Sequence, residues 1–327
     1  MGPARIETLA DLLKTRDAML RAIRRFFFDH AFVEVETAYL DGSAPSDPYI
    51  EPLRVFAEDS GPYYLHTSPE MGMKKVLASG LERIFQICKV FRVEEFEEVH
   101  SMEFTMLEWY SPGTYVEAME ETRELIRFVG MSLGGKARQY VDKPWRTLVL
   151  RQLFLDAIHI DPFPLPADAL LSRMKERGFE GLSEEDTWED LFFKLFIQEV
   201  EPRVNRQEKG PCFIKDWPAT LTAMARKKDP YTVERFELYM KGLEIANGYS
   251  ELLDAKEQRS RFAADQGKRR SLGKALLPLD EAFLEALPRV RGPKAGVSIG
   301  LDRLLMVLLG YETIDEVLPG CLKLREK

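Results

Sequence analysis

An α+β fold built round a central antiparallel sheet is what three features of the 327-residue sequence predict. Apolar residues recur at helical spacing near the N-terminus, short aromatic and branched runs alternate with polar loops or tight turns, and an extended run feeds an apolar helix near the C-terminus. Leu9, Leu12, Leu13, Met19, Ala22, Ile23, Phe26 and Phe27 share one helical face and give way to the alternating Phe32-Val33-Glu34-Val35-Glu36, so a helix leads into a strand. Ser68-Pro69 places a capping residue before proline at the first helical position, and Met73, Val76 and Leu77 line one face of the short helix that follows.

Residues 83–92 and 103–110 read as two antiparallel strands, and the charged link 94–102 between them as a mobile loop. A helix is expected over 114–133, and a mainly helical insertion around 160–205 opens at the proline-rich 161–166. Strands resume near Cys212 and over 233–245, and Val297-Ser298-Ile299-Gly300 runs into a helix over 301–309. Residues 1–327 are read as a single domain.

The 46 basic and 54 acidic residues leave a charge of −8, a field that repels polyanions, so stable tRNA or other nucleic-acid binding is not expected. The basic runs 226–228 and 268–270 read as solvated helix faces. No apolar stretch is long enough for a membrane span, and the first 15 residues carry acidic groups where a signal peptide has its apolar run, which predicts a cytoplasmic protein. Cys88, Cys212 and Cys321 are far apart and predict neither disulfide nor zinc.

The segment 236–245 is the most informative. Lys241-Gly242 suits a two-residue hairpin turn, which sets Met240 opposite Leu243 and Tyr239 opposite Glu244, with Glu237 on Tyr239's face. Glu237 and Glu244 become diagonal neighbours; like charges so placed favour a cation between them, and oxygen ligands favour Mg²⁺ carried by a nucleotide. Two solvated acids on an exposed face fit the same count equally well. Asn247, Tyr249 and Glu251 share a face if the chain stays extended, unless Gly248 introduces a bulge. Glu108 and Tyr110 are likewise two apart, and two acids with a phenol suit an ammonium ion. Arg92, at the end of its strand, suits a substrate carboxylate and the phosphate it attacks, or else a salt bridge to Glu94 or Glu95. His100 in the loop suits a phosphate. Gly300 permits close backbone approach, and Arg303 in the first helical turn suits the outer phosphates. No GxxxxGK[ST] loop is present.

These segments resemble the three signature motifs of class II aminoacyl-tRNA synthetases, in the lysyl branch. Phe32 to Thr37 is similar to motif 1, Phe91-Arg92 through Glu103 to Tyr110 to motif 2, and Gly300-Leu301-Asp302-Arg303 to motif 3, with Thr67-Ser68-Pro69-Glu70 and Ala246 to Glu251 as lysine-type signatures. Motif 1 starts at Phe32, so the anticodon-reading OB-fold of lysyl-tRNA synthetases is expected to be missing. That truncation, with the Glu108-Trp109-Tyr110 and Lys241 to Glu244 wording, resembles the elongation factor P–(R)-β-lysine ligase family.

The resemblance implies a class II catalytic domain, a homodimer, ATP and Mg²⁺ as cofactors, and (R)-β-lysine or lysine as substrate. The adenylate would pass to a lysine of elongation factor P. By matching positions, Arg92, Glu94, His100, Ser101, Glu244, Ile245, Gly300 and Arg303 would bind ATP, with Arg92, Glu244 and Arg303 catalytic and Glu237 and Glu244 holding the metal. Ser68, Glu70, Asn247, Tyr249 and Ser298 would bind the amino acid, and Glu108, Tyr110 and Glu251 its far ammonium. Ala38 stands where motif 1 usually has the proline of the dimer interface, and Ser101 where the loop usually has asparagine. Ser298 replaces the glycine of lysyl-tRNA synthetases and the alanine of the ligases, which implies a pocket narrowed beside the α-carbon and a preference for a β-amino acid. A truncated synthetase that charges tRNA or a small amine, and a non-catalytic amino-acid-sensing paralogue, are the alternative readings.

Overall fold

The computed structural model describes residues 8–58, 60–93, 98–204 and 210–318. The chain opens with α1 (Leu9–Asp29), capped by the Thr8 side chain, and turns into the two-residue strand β1 (Val33–Glu34). Strands β2 (Leu40–Asp41), β3 (Arg54–Ala57) and β4 (Ser60–Leu65) make a small separate sheet that the sequence pattern did not reveal. Helix α2 is Glu70–Leu77, one residue later than the Ser68-Pro69 signal implied; Ser68 Oγ accepts from the Glu70 amide. Then come β5 (Ile84–Phe91), β6 (Glu103–Pro112), α3 (Tyr115–Leu133, held by a Thr114/Glu117 capping box) and α4 (Gly135–Val141).

Strand β7 (Arg146–Val149) leads to α5 (Leu150–Ile158), α6 (Ala167–Glu176) and α7 (Trp188–Leu195), which runs through a π-helical turn, Phe196–Val200, into α8 (Glu201–Val204). Strands β8 (Cys212–Pro218), β9 (Thr232–Met240) and β10 (Leu243–Ser250) follow, then α9 (Ala255–Ser271), α10 (Glu281–Ala286), β11 (Lys294–Gly300) and α11 (Leu301–Leu309).

The main sheet has the order β1-β5-β6-β11-β10-β9-β8-β7. Its six inner strands are antiparallel, as expected, but each edge pair, β1 with β5 and β7 with β8, is parallel. One face of the inner strands, including Leu107, Trp109, Phe236, Leu238, Val297 and Ile299, packs on α1, α3 and α11 as the principal core. A second core lies under α5, α6 and α7. The opposite face of the sheet carries the polar residues.

The basic runs are tied into ion pairs: Arg226 with Glu234, Lys227 with Glu257, Lys228 with Asp216, and the fully buried Arg269 with Glu51. Cys88 and Cys212 are buried, and Cys321 lies outside the described residues.

A buried triad joins three elements. Asp302, 1% exposed at the start of α11, accepts from Arg16 of α1 at 2.6 Å and from the Thr105 amide of β6 at 2.6 Å, while Arg16 also donates to Thr105 Oγ1 at 2.7 Å. Removing one member leaves the other charge buried and unmatched. Asp302→Ala is therefore expected to cost about 3–5 kcal/mol of folding stability, measured by urea denaturation against the parent chain.

Candidate active site

Alternation along the strands sets one row of side chains beside the next. Gln86, Glu108, Ser298, Asn247 and Glu237 are successive cross-strand partners on β5, β6, β11, β10 and β9. The next row is Ile84, Tyr110, Gly296, Tyr249 and Arg235. On β11, the strand in the middle of this face, the residues are Gly296, Ser298 and Gly300, and their small size leaves the floor of a cleft.

The hairpin forms as counted, with Met240 opposite Leu243 and Tyr239 opposite Glu244. Lys241 (φ 50°) and Gly242 (φ 87°) are both left-handed, as a type I′ turn requires. Beyond it the register shifts: Ala246, not Ile245, is opposite Leu238, so Ile245 is the extra residue of a bulge. The bulge considered at Gly248 is not there; Gly248 pairs regularly with Phe236 and Val297, and a Cβ would stand 2.6 Å from the Phe236 ring. The shift at Ile245 turns Glu244 onto the same face as Asn247, Tyr249 and Glu251, where strict alternation would have opposed them.

Three cavities lie along this face. The first, about 220 Å³, is lined by Ser68, Glu70, Glu108, Tyr110, Tyr249 and Glu251 among others. The second, about 300 Å³, is lined by His100, Ser101, Phe104, Glu244, Ile245, Gly300 and Arg303. Arg92, Asn247 and Ser298 line both, and so form their junction. Glu237 and Glu244 line a third, beyond the hairpin, and Glu244 thereby joins it to the second. Glu94 lies outside the described residues.

In the first cavity the polar groups are bound into one network. Glu108 accepts from Tyr110 Oη at 2.5 Å and from Ser68 Oγ at 2.9 Å. Glu70 accepts from Tyr249 Oη at 2.5 Å and from Lys74 Nζ at 2.6 Å, and Lys74 also touches Glu251. The resemblance implies separate subsites for Glu70 and Glu251; Lys74 links them. Burial, reinforced by Glu70, pushes Glu108 up to about 8, and burial together with Glu70 does the same to Glu251 despite the adjacent ammonium. Lys74 is held above the ordinary lysine value: burial opposes its charge, but Glu251 and Glu70 outweigh it.

Glu237 accepts from Tyr239 Oη at 2.8 Å and from Arg235 at 2.5 Å, yet burial and the charge of Glu244 push it up to about 8. The same Arg235 donates to Asn247 Oδ1 at 3.2 Å. In the second cavity Arg303 donates to the carbonyls of Val99 (3.1 Å) and Glu244 (3.4 Å), holding the loop against the hairpin. Arg92 follows β5 directly, donates to the Thr67 carbonyl at 3.1 Å and packs over Phe104. Ser298 Oγ reaches the Asn247 carbonyl at 3.4 Å.

Lys74 and Arg235 were missed in the sequence. The signals were present: Lys74 is one helical turn beyond Glu70, and Arg235 is two residues before Glu237 on the same strand face. Each matches a carboxylate already singled out.

An antiparallel sheet with a carboxylate-lined cavity beside an arginine-bearing one, on strands that match the three motifs, defines a class II synthetase-type catalytic domain. The family model for tRNA synthetases class II (D, K and N) matches residues 3–319. Among relatives, the elongation factor P–(R)-β-lysine ligase of Pectobacterium atrosepticum is 37% identical over 320 residues, 95% of this chain and 94% of that protein. Those of Salmonella typhi (37% over 323 residues) and Pseudoalteromonas translucida (35% over 318) match over 94% of their lengths. The chain belongs to the elongation factor P–(R)-β-lysine ligase family within class II, and is an ATP-dependent ligase.

Gly296 has no room for a side chain: a Cβ would stand 2.4 Å from both Glu251 Oε1 and the Tyr110 ring. Gly296→Ala must push these groups into the first cavity, at an overpacking cost of about 1–3 kcal/mol. Amino-acid affinity is expected to fall about tenfold or more while ATP affinity holds, read by equilibrium dialysis of each ligand; equal losses for both would place Gly296 outside the amino-acid pocket.

Proposed function

We propose that the protein uses ATP to activate (R)-β-lysine, or lysine, as an aminoacyl-adenylate and transfers the acyl group to the ε-amine of a lysine on elongation factor P. The observation that carries this reading is the junction of the two cavities at Arg92, Asn247 and Ser298. A diamino acid held by the carboxylates on one side presents its carboxyl group there, beside a guanidinium, to a nucleotide held on the other. The carboxylate attacks the α-phosphate and diphosphate leaves. An amine then attacks the acyl carbon, AMP leaves with the bonding electrons of the anhydride, and the amine loses its proton as the amide forms. No protein nucleophile is required.

Glu108, Tyr110 and Glu251 would take the far ammonium, with Ser68, Glu70, Asn247 and Tyr249 around the near one. Arg92 and Arg303 would face the phosphates, with His100, Ser101, Ile245 and Gly300 around the nucleotide. The raised Glu237 beside Glu244 fits a divalent cation, and two carboxylates fit Mg²⁺ that completes its shell with phosphate oxygens rather than an all-protein cage. When bound, magnesium would offset phosphate charge; Glu237 and Glu244 would hold it, and Arg235 would hold Glu237 in place.

Exposed apolar side chains concentrate between residues 9 and 63, including Leu9, Leu13, Phe28, Val33, Leu40 and Phe56 (73% exposed), which supports a homodimer through this region. No helix among the described residues is long and apolar enough to cross a membrane, and a cytoplasmic location fits the proposed acceptor. Residues 1–327 form one catalytic domain in this reading, and α6 to α8 its helical insertion.

ATP–pyrophosphate exchange with (R)-β-lysine, (S)-β-lysine and α-lysine, followed by offering elongation factor P or bulk tRNA, tests the reading directly. Exchange with a lysine isomer and transfer to elongation factor P are expected; transfer to tRNA alone would overturn it. Equal use of α- and β-lysine would remove Ser298 as the selector. Because Glu108 and Glu251 sit near 8 in the free protein, an incoming ammonium must displace a proton below that pH. kcat/KM for the amino acid should therefore rise from pH 6 to about 8, while KM for ATP changes little. Phe56→Glu should shift the protein toward monomer in analytical ultracentrifugation.

A further inference from the structure

Lys74 is fully buried, yet it does not line the cavity: it stands behind the wall, on α2, one turn past Glu70. Its Nζ lies 2.6 Å from Glu70 Oε1 and in contact with Glu251 Oε2, below the Tyr249 ring (5.6 Å to the centroid) and the Phe283 ring (6.0 Å). Stability does not account for it. Buried ion pairs seldom outperform an apolar side chain of the same volume, and apolar neighbours such as Met224 and Phe283 surround this one.

What the ammonium changes is the charge of the pocket. Glu70, Glu108 and Glu251 form one hydrogen-bonded group with Ser68, Tyr110, Tyr249 and Lys74; once all three carboxylates are ionised, the one ammonium leaves two negative charges. The rest of the lining adds little to this balance: Arg92 offsets Asp47 in number, Arg235 is taken by Glu237, and burial with the charge of Asp47 pushes Asp265 up to about 7. We infer that Lys74 is a positioning residue that sets specificity: a built-in ammonium that matches one of three clustered carboxylates and leaves the pocket suited to a substrate with two ammonium groups. This rests on the proposed amino-acid site. A substrate with one amine leaves a buried carboxylate uncompensated and is rejected on charge rather than size. Lys74 also holds Glu70 and Glu251 together; without it they repel, and the proton that burial already favours on Glu251 is held more tightly against an incoming ammonium.

Two measurements test this. On the unmodified protein, 1,5-diaminopentane and n-pentylamine are titrated calorimetrically as probes of the pocket without a carboxyl group. The diamine is expected to bind about tenfold or more tightly than the monoamine, and equal affinities would overturn the inference whatever the variants do. In the second, Lys74→Met, Lys74→Arg and Lys74→Ala are compared by ATP–pyrophosphate exchange, with thermal melting to confirm folding. Lys74→Met should raise KM for the diamino acid about tenfold or more with KM for ATP unchanged, and Lys74→Arg should retain most of the affinity. Lys74→Ala should be rescued by n-propylammonium and not by n-propanol. A folded Lys74→Met with unchanged amino-acid KM, or rescue by the alcohol as good as by the amine, would reduce Lys74 to a packing residue. Failure of the unmodified protein to activate any diamino acid would instead overturn the proposed function, leaving the diamine preference as the separate readout.

Discussion

The extra residue at Ile245 is the irregularity on which the arrangement of the site depends. In a regular hairpin, side chains three apart on one strand face opposite sides of the sheet. Glu244 and Asn247 are three apart, and both face the cleft because β10 carries one more residue than β9 between them. Without that residue, either Glu244 leaves the face or Asn247, Tyr249 and Glu251 rotate into the core occupied by Phe236 and Leu238. The shift therefore lets one short run of chain line the second cavity through Glu244 and the first through Glu251, with Asn247 at their junction.

That face gathers an unusual amount of buried charge, and the protein manages it by pairing. Arg235 pairs with Glu237, Arg16 with Asp302, and Lys74 joins Glu70 to Glu251. The pairing of Asp302 is complete and fixes α1, β6 and α11 to one another. Around Glu108, Glu251 and Glu237 it is incomplete, and each is pushed up to about 8. Groups left short of counter-charge in a cleft are poised to gain it from a ligand. The matched Asp302, which also lines the second cavity, fixes elements to one another, whereas the under-compensated carboxylates hold charge open to a ligand.

Much of this was legible in the residues. The helix–strand opening, the β5–β6 pair, the capped α3, the hairpin at Lys241-Gly242 and the entry into α11 each carry a local signal: a period, a cap, a turn that demands positive φ, or a polar link. Hairpin register was countable because the turn is only two residues long. The small sheet of β2, β3 and β4 was not legible, since β2 is two residues long and β3 is exposed throughout, so neither has a buried face to impose alternation. The parallel pairing of the sheet edges was equally hidden, because it joins segments whose partners are set by the fold rather than by a turn.

By itself the sequence determined which residue types stand two apart on each strand, where the turns and caps fall, and hence which carboxylates, phenols and arginines are available to one face. Only the tertiary structure decided that the break in register comes at Ile245 rather than Gly248. It also decided that Gly248 and Gly296 are there for want of space, that Lys74 stands behind the carboxylates it matches, and that Arg235 lies beside its own. The physical reason is distance along the chain. Alternation and capping act over a few residues, whereas a buried charge is balanced by whatever the fold brings beside it, and Lys74 and Glu251 are brought together across most of the domain.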